Sequence, residues 1–499
     1  MSRKKKLAMN MISALLLQVV SLVCGFILPR QMLSYFGSDV NGLVASIAKF
    51  LGVITFLELG IGSVIQSNLY KPLAEKDEAT ISKIFVSAER FYRRIAYVFL
   101  VYIAILFVAF PLVNREFDFW FTASLLVIIA ISTFAQYFFG ISYQVFLTAD
   151  QKSYIHATLR IFTTILNLVV AIILIKVGCT IHVVKLVSAS IFLLQPIALN
   201  LYVRKRYNID RKIQYTGEPI KQKWNGFAQH LAGQVCSDLD VILLTVFHTY
   251  QSVSIYSVYI LVIHGILNLV MTSASGLESL MGNMLAKKEK TLLQKLFEAV
   301  ESVTHVGVTF LFLTTAILIA PFVSVYVRGI EDASAYNLPL LGALLTIAFG
   351  IQCLRIPYAR IIKAAGHYKQ TQNGAIISLV LNIVVSLLLV IPLGLTGVAL
   401  GTLVAMLYHT VYFAWYLRKN ILDRPIKHFA IHFAVDILCG VAAFTATGWL
   451  CHPVETYLQW VIMAIPVALM VLAICLVLNA PLYGRELLAF AKTYLKKHK

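Results

Sequence analysis

Acidic residues are scarce in this 499-residue chain, with 23 Asp and Glu against 42 Lys and Arg, and charged residues of all four types make up only 13%. Soluble domains carry roughly 25%. No G-x-x-x-x-G-K-[ST] phosphate loop is present, which argues against ATP hydrolysis by this chain and leaves ion gradients or the membrane potential to drive any work. Cysteine is sparse too: seven residues with no C-x-x-C pair. Structural zinc and a disulfide framework are therefore not expected. Cys24, Cys236, Cys353, Cys439 and Cys475 lie in apolar stretches and read as small buried residues. Cys179 and Cys451 fall at outer loops, and a bridge between them is not expected. No small-x-small site closes the apolar stretch after Arg3 to Lys6, so that stretch reads as a first membrane span rather than a cleaved leader.

What is present is apolar: 59% hydrophobic residues, against roughly 45–50% in soluble chains, and a mean hydropathy of +0.81. The expected class is an all-α integral membrane protein. Apolar runs of about 20 residues give about 14 spans, the first near 8–33, the second 42–69, the third 91–113, the eighth 253–285, the tenth 336–362 and the last two 427–450 and 457–479. The net charge of +19 is concentrated in alternate loops: Lys71, Lys76 and Lys83; Lys152; seven bases from Arg204 to Lys223; Lys287, Lys288 and Lys290; Arg418 to Lys427; and Lys496 to Lys499. Under the positive-inside rule both termini face the cytoplasm and the number of spans is even. The charge is topological, and no nucleic-acid partner is expected.

The two halves echo one another. Asn68 and Asn167 recur 215 positions on as Asn283 and Asn382, and Pro111 and Phe139-Gly140-Ile141 recur 210 on as Pro321 and Phe349-Gly350-Ile351. Tyr202-Val203-Arg204-Lys205 returns as Tyr416-Leu417-Arg418-Lys419. The repeated unit is six spans. Six being even, the copies enter from the same side and relate by an axis along the membrane normal. The expected organisation is an N-lobe over 1–205, a cytoplasmic linker over 206–223, a C-lobe over 224–420, and a hairpin of two spans with a basic tail over 421–499. Two six-helix lobes would flank a central cavity. Residues 80–94, with Ile81, Ile84, Phe85 and Ala88 on one face, and 291–297, opened by a Thr291/Gln294 capping box, read as short helices on the membrane surface.

A charge inside a bilayer is costly, so the polar residues of the spans are the candidate site. Arg30, Lys49, Arg160, Arg355 and Arg360 are the candidate cavity cations. For Arg30 and Arg160, as for Lys185, reaching to the membrane surface is the alternative. Lys49 and Glu58 stand nine apart on one span, too far to pair, so each needs a partner from another helix. Glu58 is either structural or a coupling or gating group. Asp238 and Asp240 point to different sides of span seven. Arg355 and Arg360 flank Pro357, where a bend is expected. His230, His264, His305, His409 and His432 read as hydrogen-bonded packing residues. No catalytic residue, metal or cofactor is expected beyond coupled protons or sodium.

Leu28-Pro29-Arg30, Phe56-Leu57-Glu58-Leu59-Gly60-Ile61-Gly62, Asn68-Leu69-Tyr70-Lys71-Pro72 and Thr148-Ala149-Asp150-Gln151-Lys152 resemble the Wzx-type polysaccharide flippases. So do Ser237-Asp238-Leu239-Asp240, Gly282-Asn283-Met284-Leu285-Ala286, Arg355-Ile356-Pro357 and Gly397-Val398-Ala399-Leu400-Gly401-Thr402. The resemblance spans roughly residues 8–420 and weakens over the last two spans. It implies a MOP-superfamily transporter, allied to MATE exporters and MurJ-like lipid II flippases. Such a protein moves undecaprenyl-diphosphate-linked oligosaccharide across the bacterial cytoplasmic membrane by alternating access, for capsule, exopolysaccharide or O-antigen assembly. The implied partners are that glycolipid, membrane lipids, a polysaccharide polymerase and glycosyltransferases. The resemblance also singles out Asp240 over Asp238, and by analogy lays the prenyl tail along the last two spans. Alternatives are a lipid II flippase, a MATE-like multidrug exporter, which would need a carboxylate-rich cavity, and a membrane-embedded glycosyltransferase or ligase.

Overall fold

The computed structural model describes residues 3–58, 61–113, 115–214, 217, 238–274 and 276–497, with side chains for all of these but 3, 4, 56 and 483–497. Leu59, Gly60, His230, Cys236, Ser237, the first part of span seven and much of the 206–223 linker lie outside the described residues, as do the side chains of the terminal lysines. Among the described residues every regular element is helical, and 11 helices are long and apolar enough to cross a membrane. Two of these contain a reversal. Arg3–Gly52 turns at Gly37 (φ 80°) and Tyr368–Asn420 at Gly394 (φ 56°), a backbone region that glycine reaches without Cβ strain. A further helix occupies 238–247. The protein is thus a multi-pass, all-helical membrane protein whose count agrees with about 14 spans.

Neighbouring contacts give the direction of each span. Span one runs alongside span five (Ser153–Lys176), as Asn10 meets Gln151 and Tyr154 at one end while Tyr35 lies against Gly178 at the other. Span two, from Gly37 onward, opposes span three (Glu78–Val113): Tyr102 donates to the Phe50 carbonyl at 2.9 Å, whereas Gly62 lies against Tyr92. The chain therefore reverses at Gly37. Spans four and six are Phe119–Ala149 and Ile181–Arg206. Span eight comprises Tyr250–Ser273 and Leu277–Ala286, span nine Lys290–Tyr326, span ten Pro339–Leu354 and Ile356–Ala364, span thirteen Ile426–Thr447, and span fourteen begins at Tyr457.

The outward faces are apolar at helical spacing, as with Val98, Val101, Ile105 and Val108 on span three. Exposed stripes of this kind face lipid tails rather than water. With lipid outside, helices associate through small residues and interhelical hydrogen bonds. Spans eleven and twelve, the parts of Tyr368–Asn420 before and after Gly394, show both. Gly397 and Gly401 lie so close to span eleven that a Cβ would sit 2.1 Å from the Leu389 carbonyl oxygen and 2.0 Å from Ser386 Oγ. Asn382 Nδ2 donates to Thr402 Oγ1 at 3.0 Å, and Ser378 Oγ to the Ala405 carbonyl at 3.0 Å.

The chain divides into two compact units, Met1–Ser254 and Ile255–Lys499. Each carries the same local breaks. Span two passes through a 3-10 turn at Val53–Leu57 and resumes at Ile61, and span eight breaks at the matching place, between Ser273 and Leu277. Span four contains a π-turn at Gln136–Gly140, and span ten is interrupted at Arg355, one turn from its echo of that segment. Lys76 and Lys288 both take φ 57° in the turns entering spans three and nine, and Gln151 (φ 57°) matches Gly366 (φ 73°).

Two expectations are corrected. Residues 80–94 and 291–297 are not separate surface helices. They are the first turns of the unbroken helices Glu78–Val113 and Lys290–Tyr326. Neither segment holds a proline or glycine to break the ladder, and the buried face Phe85, Ala88, Glu89, Tyr92 runs on to Phe99. The Thr291/Gln294 capping box is also not formed: the N-cap is Glu289, without a side-chain hydrogen bond.

Candidate functional site

In the first unit, spans one, four, five and six enclose a cavity of about 400 Å³ that Ser21, Cys24, Pro29, Ser132, Arg160, Asn167, Lys185 and Phe192 help to line. A second recess of about 230 Å³ shares Ser132, Arg160 and Phe192 and adds Gln136, Gln144 and Gln195. The π-turn at Gln136–Gly140 places Gln136 on this wall. Such insertions in a helix re-aim side chains and recur at functional sites. Among the described residues no Asp or Glu lines either space.

The two cations occupy different depths. Arg160 lies about two turns into span five from its Ser153 end, and Lys185 about one turn into span six from its Ile181 end, on the opposite side of the membrane. Arg160 Nη1 donates to Gln195 Oε1 at 3.4 Å and its guanidinium stands 5.4 Å from the Phe192 ring centroid. Lys185 Nζ meets Met32 Sδ at 3.5 Å. Neither forms an ion pair with a carboxylate among the described residues. Asn167 is 6% exposed, and its Oδ1 lacks a hydrogen-bond partner among the described residues. Two half-buried cations and a set of neutral hydrogen-bonding groups thus share this space.

The other candidates are placed as follows. Arg30 directly follows Leu28 and Pro29 of the cavity wall. Lys49 is held by Asp238 of span seven at 2.5 Å, and Glu58, at the break in span two, accepts from Tyr137 of span four at 3.2 Å. Both thus find partners on other helices, as their spacing requires. The surrounding packing is tight: Asn41 Nδ2 donates to Ser254 Oγ and Thr245 Oγ1 to Ser46 Oγ, each at 2.8 Å, and a Cβ on Gly42 would fall 1.7 Å from the Tyr250 carbonyl oxygen. Asp240 is 3% exposed. Lys49, Glu58 and Asp240 are not among the residues lining the cation cavity. In the second unit Arg355 sits at the interruption of span ten, 5.8 Å from the Phe413 centroid, and Arg360 pairs with Glu278 at 3.2 Å.

The reading from sequence missed a buried cluster in the second unit. Arg424, in the turn before span thirteen, donates to Glu301 and, at 3.0 Å, to Glu298 of span nine. Tyr358 of span ten also donates to Glu301. Deeper in, His305 Nδ1 lies 2.5 Å from Asp436 Oδ2, and Thr309 Oγ1 donates to Asp436 Oδ1 at 2.7 Å. A signal for it was present in sequence: Glu301 and His305 are i,i+4 on one face of span nine. A large apolar pocket of about 510 Å³ between spans nine, ten and thirteen has Asp436 and Thr309 in its wall. Cys179 and Cys451 are free thiols.

A family model described as lipid II flippase MurJ matches residues 359–471. No curated protein sequence matches the chain. Among solved structures, the lipid II flippase MurJ in its inward closed conformation is similar with a TM-score of 0.72 at 14% identity, covering 95% of this chain and 99% of that one. An inward-facing multidrug resistance MATE family transporter of the MOP superfamily gives 0.61 at 14% identity, over 80% of this chain and 96% of that one. The Vibrio cholerae MATE transporter VcmN in its bent form gives 0.56 at 16% identity, over 83% and 96%. Identities this low speak for architecture alone, and on that ground the chain has the fold shared by the lipid II flippase MurJ and the MATE transporters of the MOP superfamily.

Proposed function

We propose that this protein is a flippase that carries a lipid-linked oligosaccharide, joined to its prenyl chain by a diphosphate, across the cytoplasmic membrane, without catalysing bond formation. The observation that carries this reading is the cavity of the first unit, with Arg160 and Lys185 at two depths and no carboxylate among the described residues of its wall. A diphosphate leaving water for a low-dielectric interior requires cations, and a guanidinium offers it paired, charge-assisted hydrogen bonds. Cations placed on both sides of the midplane let the head group keep one within reach as it crosses. Ser132, Asn167, Gln136 and Gln195 supply the neutral hydrogen bonds that sugars take. Export of organic cations would require the opposite wall, because two uncompensated positive charges repel such a cargo. Undecaprenyl diphosphate bearing an oligosaccharide, supplied by glycosyltransferases and passed to a polymerase, fits this chemistry.

A second reading, flipping of lipid II, is favoured by one finding, the family-model match over residues 359–471. The two cargoes share a prenyl diphosphate and differ in the sugars. Purified protein in liposomes, supplied with either substrate labelled on its sugar, separates them by the rate at which label reaches the far leaflet. The account expects translocation of the diphosphate-linked oligosaccharide, with loss of at least tenfold in Arg160→Gln/Lys185→Gln. Preference for lipid II would transfer the assignment to the second reading, and movement of neither would refute both.

A further inference from the structure

The cluster between spans nine and thirteen does not balance electrically. Two fully or nearly buried carboxylates, Glu301 at 0% and Asp436 at 9% exposure, face one buried guanidinium, that of Arg424. Glu298, partly exposed, adds a further acid on the Arg424 side. Tyr358 of span ten, Thr309 of span nine, and Cys475 and Asn479 of span fourteen are neutral, and His428 lies on the exposed first turn of span thirteen. Among the described residues two imidazoles, those of His305 and His432, are placed to supply the missing positive charge. His305, fully buried, is bound to Asp436 through Nδ1, while its Nε2 has no hydrogen-bond partner among the described residues. The ring of His432 lies 5.1 Å away, centroid to centroid, and its Nε2 is 3.8 Å from Glu301. An unbalanced charge in such surroundings is costly, and a proton on an imidazole beside a carboxylate removes the imbalance.

We propose that His305 and His432 form a proton-binding site, one proton shared between the two rings, which balances the buried carboxylates and holds span thirteen on span nine. The site is built from span nine, whose counterpart in the first half is span three, and from the appended hairpin. It is separate from the cation cavity of the first unit and stands whether or not the cargo reading does. Asp436 links it to the apolar pocket between spans nine, ten and thirteen, in whose wall it lies.

The test compares His305→Gln with His305→Gln/Asp436→Asn in purified full-length protein. The Gln amide still donates to Asp436 but cannot carry the charge, so the single variant unfolds at a lower temperature than the parent, and adding Asp436→Asn restores the unfolding temperature. A single variant that unfolds with the parent overturns the proposal. If the single variant does not accumulate, the parent protein labelled with 15N-histidine in nanodiscs decides. One ring carrying protons on both nitrogens and shielded from solvent exchange is expected at neutral pH, and only neutral rings among the shielded histidines would overturn the proposal.

Discussion

The two units contain the same clasp in two environments. In the first, Phe85 packs on Tyr143 with ring centroids 5.3 Å apart, Arg211 donates to Tyr143, and Glu89 lies 3.9 Å from Arg211 and 2.9 Å from Arg93. In the second, Phe297 packs on Tyr358 at 5.4 Å, and Tyr358 and Arg424 both donate to Glu301. Each member recurs at nearly the offset of the sequence repeat. In both units the clasp ties the segment that follows a six-span copy back onto that copy's third span. The difference lies in burial: Arg211 is 32% exposed, Arg424 8% and Glu301 0%. In the second unit span thirteen covers the clasp and extends it through His432, His305 and Asp436. A motif whose arginine is partly exposed over a buried Glu89 in one half is fully buried and extended into a polar core in the other.

That contrast is sharpest at the arginines. Arg424→Ala leaves Glu301 buried without its charge partner, a change worth about 3–5 kcal/mol. Arg211→Ala removes a partly exposed pair worth about 0–1 kcal/mol. Thermal unfolding of the two variants in detergent checks this, and equal losses would erase the distinction. Tyr358→Phe removes a hydrogen bond to a buried carboxylate, about 1.5–3 kcal/mol, whereas in Tyr143→Phe the bond lost is one that Arg211 replaces with water, about 0.5–1.5 kcal/mol. The same unfolding measurement ranks them.

The loops joining spans four and five and spans ten and eleven make a further, smaller test. Asp150 is gripped by Lys152 at 2.7 Å, Lys6 at 3.6 Å and Tyr207. Burial pushes its carboxyl upward, but the Lys152, Tyr207 and Lys6 contacts outweigh that and hold it below the ordinary carboxylate range. A lowered value means that its stabilisation is complete above the unfolded-state value, about 3.9, and disappears as pH falls through the folded one. Asp150→Asn therefore loses a little stability at neutral pH, and the difference from the parent vanishes once the pH has fallen through the lowered folded-state value. The matching loop of the second unit closes instead with Gly366 and a 3.0 Å contact between His367 and Tyr416, so Asp150→Asn should leave the second unit's stability unchanged.

Much of the architecture was legible in sequence because lipid leaves few choices. Apolar runs of span length, alternating basic loops and an even-numbered repeat sufficed for the spans. The need of Lys49 and Glu58 for partners on other helices followed from their spacing alone. What could not be read was convergence. Lys185 looked like a side chain reaching for the surface until Arg160, Asn167 and Ser132 were seen around the same space. Glu301 was not singled out within its span, and Arg424 read as one base of a cytoplasmic loop. Only the packing of span thirteen against span nine shows that both are turned inward. The breaks in spans two and eight were hidden for a related reason, since Val53–Leu57 is apolar and changes geometry without changing hydropathy.

The central claim is that the first unit holds the diphosphate of its cargo on Arg160 and Lys185. Native mass spectrometry of the purified protein with undecaprenyl diphosphate and with undecaprenol tests it most directly. The account predicts a retained complex with the diphosphate, at least tenfold weaker binding of the alcohol, and loss of that preference in Arg160→Gln/Lys185→Gln. Equal retention of the two lipids by the parent protein, or an undiminished preference in the double variant, would contradict it.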